Sequence, residues 1–203
     1  MNQYNDDIQH IRKMMERSSQ FLSLSGLSGV GAGFVALLCV WIVFSVLNQY
    51  DIDYFDGKPN NYSSEVIIKL LLVSLITIVL TLVVVVFFTV RKLKNKNLPI
   101  YNTSTKKFLI ALTIPLIAGG VFCLALTANL QFYMVAPSML LFYGLSLINA
   151  SKYTHTEIYW LGICQIGLGL VAAFFVGYGL IFWAIGFGLL HILYGIIIHQ
   201  KYN

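Results

Sequence analysis

The sequence predicts an all-α membrane protein, a six-transmembrane-helix bundle with a short N-terminal amphipathic juxtamembrane helix. Three observations carry this. The chain of 203 residues is 58% hydrophobic and only 10% charged, a balance that excludes a soluble globular fold. Its apolar residues gather into six stretches of the length at which a helix, rising about 1.5 Å per residue, crosses a hydrocarbon core of about 30 Å. Its basic residues fall in alternate connections, as topology requires of a polytopic protein.

Residues 1–19 form the first segment and 20–203 the membrane domain. In the first, Ile8, Ile11, Met15, Ser18 and Leu22 follow at alternating spacings of three and four, with Arg12, Lys13, Glu16 and Arg17 mostly elsewhere. That pattern predicts a helix lying in the interface plane ahead of the first span. The spans are expected at about 20–47, 66–90, 108–128, 132–149, 157–176 and 180–199.

The first span begins in a run rich in small residues. Ser25, Gly29 and Gly33 recur at i, i+4 and i+8, with Ser28, Ala32 and Ala36 beside them. Within lipid such stripes let helix backbones approach closely, since packing and hydrogen bonding replace the hydrophobic drive. Gly-Val-Gly-Ala-Gly is not a phosphate loop, because no strand precedes it and no Gly-Lys-Ser/Thr follows. The loop over 48–64 carries Asp51, Asp53 and Asp56, but Tyr54 and Phe55 stand where a calcium loop needs oxygen ligands. The second span is almost uniformly Val, Ile, Leu and Phe, which predicts a helix facing lipid over much of its surface. Glu65 and Lys69 at its mouth make a favourable i, i+4 pair.

The third span contains Thr113, Pro115, Gly119 and Gly120, so a bend is expected near Pro115. The fourth carries Pro137 and Ser138. The fifth places Gln165 on a stripe with Gly162, Gly169 and Ala172, and the sixth places His191 on a stripe with Ala184, Gly188 and Gly195. The first, fifth and sixth spans are therefore expected to supply the tight interior. Gly177-Tyr-Gly179 is a short connection, so the last two spans should be antiparallel neighbours. Tyr178 stands midway between Gln165 and His191, which puts the two at equal depth and predicts a hydrogen bond between them.

Sidedness follows from the basic residues. With both termini, the 91–107 loop and the 150–156 loop on one face, that face holds 11 of the 13 Lys and Arg. The positive-inside rule makes it cytoplasmic. The net charge of +5 thus reflects topology and argues against nucleic acid as a partner. The expected partners are the lipid bilayer and, at the basic cytoplasmic face, another protein.

Chemistry-bearing patterns are sparse. No Ser-His-Asp set, His-Glu-x-x-His or Cys-x-x-Cys occurs, and Cys39, Cys123 and Cys164 lie in apolar stretches without metal-ligand spacing. Haem ligation by two histidines would need a second histidine inside another span, so no cofactor or metal is expected. His155 and His199 fall at the cytoplasmic face, where water or headgroups can meet them. The candidate site is Gln165 with His191, and the packing residues are Ser25, Gly29, Gly33, Gly162, Gly169, Ala184, Gly188 and Gly195.

The opening Glu16–Gly29, the segment Asn149-Ala-Ser-Lys-Tyr-Thr154 and the run Tyr178–Gly195 resemble a family of uncharacterised multi-pass inner-membrane proteins of Bacteroidetes bacteria. The resemblance covers nearly the whole chain and implies residence in a bacterial inner membrane, with no activity to carry over. It also implies that the position of Gln165 can hold glutamate in relatives, so the amide here weakens any proton relay. Function is then expected to be structural, regulatory or partner-binding rather than enzymatic. The alternative is a small transporter or channel-like protein built on Gln165 and His191.

Overall fold

Long apolar runs with few breakers make helices, and helices are what form. The computed structural model describes residues 25–52, 54, 62–97 and 103–202. Of these, 88% are helical and none lies in a strand. The expected helix over 1–19 lies outside the described residues, as do Asp53 and Asp56 of the acidic loop.

Among the described residues, six helices are long and apolar enough to cross a membrane. They are α1 (Gly26–Gln49), α2 (Ser64–Asn95), α3 (Thr103–Ala128), α4 (Phe132–Ser151), α5 (Thr156–Phe174) and α6 (Gly179–Tyr202). The architecture is that of a multi-pass helical bundle. Two boundaries differ from expectation. α2 continues through the basic run to Asn95, because Lys92 and Lys94 suit the negative end of the helix dipole and no breaker intervenes. α3 starts a turn early and takes in Lys106 and Lys107; it also runs uninterrupted through Pro115. Pro137 sits in the first α-helical turn of α4, where a missing N–H costs little.

The helices alternate up and down. At one end, the Asn149 amide of α4 donates to the Ala111 carbonyl of α3 over 2.8 Å. At that same end Lys201 of α6 pairs with Glu157 of α5 at 2.6 Å, and Lys96 after α2 donates to the Tyr202 carbonyl at 3.1 Å. This end carries Arg91, Lys92, Lys94, Lys96, Lys106, Lys107, Lys152 and Lys201, whereas Lys69 lies at the other. At that other end Lys69 and Glu65 form their i, i+4 pair at 3.0 Å, joined by the Tyr50 hydroxyl.

The interior differs from expectation in one helix. α4 is as buried as α5: 33% of the most apolar window is buried in each, against 28% in α1 and α6 and none in α2. The missing signal is that α4 interleaves its small residues, Ser138, Gly144 and Ser146, with bulky ones. The most extensive pairing is α4 with α5, while α6 packs along α1 and also reaches α4 and α5. α2 rests on α1 and offers a face of exposed Val, Ile, Leu and Phe.

Glycines set these contacts. A Cβ on Gly195 would meet the Val30 amide nitrogen at 2.6 Å and the Gly26 carbonyl at 2.7 Å. Gly29 lies against the Gly195 backbone, and Gly33 against the Gly188 carbonyl and Ile192. Gly144 and Gly162 face each other's carbonyls across the α4–α5 contact, and Gly169 faces Leu141 and Pro137. The small stripe of α5 thus serves α4, not the α6 neighbour expected from the short connection. Ser25 is buried at the start of α1, and Gly188 packs on the Leu37 side chain. Ala184 lines an apolar cleft between α1 and α6 with Leu37, Trp41 and Ile181.

Candidate functional site

The expected stripe of α6 does not stay on one face: Gly188 and Gly195 meet α1, whereas the His191 side chain reaches Tyr143 of α4. α6 is α-helical over Gly179–Trp183, widens to a π-helix over Ala184–Leu190 and returns to α over His191–Tyr202. Extra residues per turn break the phase of 100° per residue on which a single stripe depends. Gly188 and Gly195 still face α1, but Gly186 turns toward α4 and α5. A Cβ on Gly186 would meet Leu140 at 2.4 Å and the Gln165 Oε1 at 2.5 Å.

The Gly186 carbonyl is the centre of a polar junction. The Gln165 amide of α5 donates to it through Nε2 at 2.8 Å, and His191 Nδ1 lies 2.9 Å from the same oxygen. A carbonyl oxygen only accepts, so Nδ1 carries a proton. The other ring nitrogen, Nε2, is 2.7 Å from the hydroxyl of Tyr143 on α4. In the neutral imidazole Nε2 is the acceptor, so Tyr143 donates. Gln165 and His191 therefore meet on a shared acceptor, and the direct bond between them expected from the sequence is replaced by two bonds to Gly186. The reason is the π-turn, which presents a main-chain carbonyl where a regular helix would present side chains.

An aromatic stack walls the junction. Tyr143 packs on Phe187 with centroids 4.9 Å apart, Phe187 stacks on His191 at 5.9 Å and 12°, and Trp183 lies 4.9 Å from Phe187. Leu140 and Gln165 are wholly buried and His191 is 8% exposed. One valence stays open: Gln165 Oε1 is buried without a hydrogen-bond partner. It lies beside Gly186, where an added Cβ would come within 2.5 Å of it.

Two further groups lie at the ends of the bundle. At the basic end Tyr202 donates to both oxygens of Glu157, at 3.2 and 3.3 Å, and stacks on His155 with centroids 4.0 Å apart. His155, expected to meet water or headgroups, is instead buried to 3% exposure beneath that ring. At the opposite end the Tyr54 hydroxyl accepts from the Leu180 N–H at 2.9 Å and so closes the first turn of α6. Burial, with Tyr62 nearby, pushes the Tyr54 phenol up to about 12, and the bond from Leu180 pulls it partly back.

The three cysteines are free, and Cys164 lies exposed on the outer surface of α5. Among the described residues no group of three His, Cys, Asp or Glu side chains could hold a metal ion. Of the junction's four residues, sequence reasoning identified Gln165 and His191 and missed Tyr143 and Gly186. A tyrosine in the middle of an apolar span is a usable signal, since its hydroxyl needs a partner there. Gly186 carried none, because a π-turn leaves no pattern in residue types. Comparison of the chain with known protein families, with curated proteins and with solved structures finds no match in any of the three.

Proposed function

We propose that this chain is a multi-pass protein of a bacterial inner membrane, with both termini cytoplasmic, whose role is structural, regulatory or partner-binding. The observation that carries the reading is the state of His191. Both of its ring nitrogens are engaged by protein groups, inside a wall of Tyr143, Phe187 and Leu140. A histidine that relays protons or binds a substrate needs a ring nitrogen open to water or ligand; this one holds helices together. The basic face and the resemblance in residues 16–29, 149–154 and 178–195 support the inner-membrane placement.

Cysteine accessibility tests it. In a chain whose three native cysteines are replaced by alanine, single cysteines at positions 140 and 191 should resist a membrane-impermeant maleimide in intact bilayers. Rapid labelling at either position from one face would refute the dry junction. It would favour the second reading, a small transporter with a polar site at Gln165 and His191. That reading draws on the π-turn, a feature frequent at functional sites, and on the open valence of Gln165 Oε1.

A further inference from the structure

Tyr194 of α6 and Cys164 of α5 form a polar pair on the outside of the bundle, at a depth where lipid offers no hydrogen bond. Each stands eight residues, about 12 Å, in from the basic end of its helix. Side chains in a helix lean toward its N-terminus, so the Tyr194 ring points further into the bilayer and away from the nearer interface. Its hydroxyl has one hydrogen-bonding neighbour among the described residues, the Cys164 thiol at 4.0 Å, and a thiol is a weak partner at that length. We propose that this face binds a second copy of the chain, in a parallel homodimer whose α5 helices cross at Gly167 and whose Tyr194 hydroxyls gain partners there.

Three observations select a second copy. On α5, Trp160, Cys164, Gly167 and Val171 fall within about 60° of one another at 100° per residue, and all four are exposed. A Cβ on Gly167 would meet nothing within 4 Å, so its backbone is open to the close approach of another helix. Short hydroxyls on the lipid-facing α2 settle on their own backbone, Ser74 on the Leu71 carbonyl and Thr77 on that of Val73. The rigid ring of Tyr194 holds its oxygen too far out for that, so a full-strength partner has to come from outside the chain. A hydroxyl both donates and accepts. Two copies of this face therefore satisfy each other across a two-fold axis, without the complementary surface that a different protein would have to supply. All copies insert in one orientation, which sets the axis along the membrane normal and brings equal depths together. The inference rests on the membrane reading above and names the partner that reading leaves open.

The test is Förster transfer between full-length copies carrying donor or acceptor fluorescent proteins after Asn203, reconstituted together in phosphatidylcholine liposomes and diluted with lipid. A dimer should keep its transfer at densities where random encounters give none. Gly167→Leu should abolish the transfer without lowering the unfolding midpoint in detergent, because the site is open within its own chain. Gly120→Leu, at another glycine facing open space but on α3, should leave the transfer intact. Tyr194→Phe keeps the ring and removes only the hydroxyl, and it should weaken the dimer about three- to tenfold. If Gly167→Leu melts below the parent, Tyr194→Phe alone carries the comparison. Transfer that vanishes on dilution of the parent, that survives in a stable Gly167→Leu chain or that is unchanged by Tyr194→Phe overturns the proposal. So does its loss in Gly120→Leu, which would place the interface on α3. Release of the chain from membranes by alkaline carbonate without detergent would instead sink the membrane reading itself.

Discussion

Tyr143 and Gln165 both hydrogen-bond within the junction, yet the chemistry assigns them unequal weights. Replacing Tyr143 with phenylalanine leaves His191 Nε2 buried beside apolar rings with nothing to donate to it. The expected cost is about 0.5–2 kcal/mol, measurable by unfolding in mixed micelles. Replacing Gln165 with methionine removes one of two bonds to the Gly186 carbonyl, but it also removes the unpartnered Oε1. Because eliminating an unsatisfied buried acceptor offsets a lost bond, Gln165→Met should cost less than about 1 kcal/mol. A larger loss at Gln165 than at Tyr143 would mean that Oε1 has a partner, such as a water, that this account omits. At this scale the sequence was informative about which polar side chains lie inside the membrane, since Gln165 and His191 stand out in apolar surroundings. It was silent on what they bind, because the acceptor is main chain.

α6 packs on α1 and also meets α4 and α5, and its glycines are not equivalent. Gly195 faces backbone atoms of α1 at 2.6 and 2.7 Å from an added Cβ, and backbone cannot rotate aside. Gly195→Ala should therefore destabilise by about 1–3 kcal/mol. Gly188 faces the flexible Leu37 side chain and should tolerate alanine better. Gly120 of α3 faces open space, so Gly120→Ala should be neutral or gain up to about 1 kcal/mol from helix propensity. Unfolding midpoints of the three variants should fall in the order Gly120→Ala, Gly188→Ala, Gly195→Ala; equal effects would show that the α1–α6 approach is looser than described. Element positions were readable from hydrophobic length alone, and the lipid-facing character of α2 from its uniform Val, Ile, Leu and Phe. Partner choice was not. Gly162 and Gly169 lie against α4, but a stripe does not name the helix it faces, and chain proximity pointed to α6. The division of labour along α6 was hidden for a related reason, since Ala184, Gly188, His191 and Gly195 share a stripe only if the helix is regular throughout.

The whole molecule is a bundle in which α6 packs along α1 on one side and meets α4 and α5 on the other. Its basic end is stitched by Lys96 to Tyr202, Lys201 to Glu157 and Asn149 to Ala111, joining helix ends far apart in sequence. A cytoplasmic reporter fused after Asn203 should be active, and one that functions only outside should be silent; the reverse result would invert the topology. The distribution of charge along the chain was enough to anticipate which connections share a face. The account turns on the junction where α4, α5 and α6 converge on one carbonyl, and that convergence requires a single arrangement of the His191 ring. Nitrogen-15 NMR of histidine-labelled protein in lipid bilayers at pH 7, with His191→Asn to assign the signal, reads that arrangement directly. The account predicts a neutral ring protonated at Nδ1 with Nε2 accepting a hydrogen bond. A ring protonated at Nε2 alone, or a charged imidazolium, would contradict it.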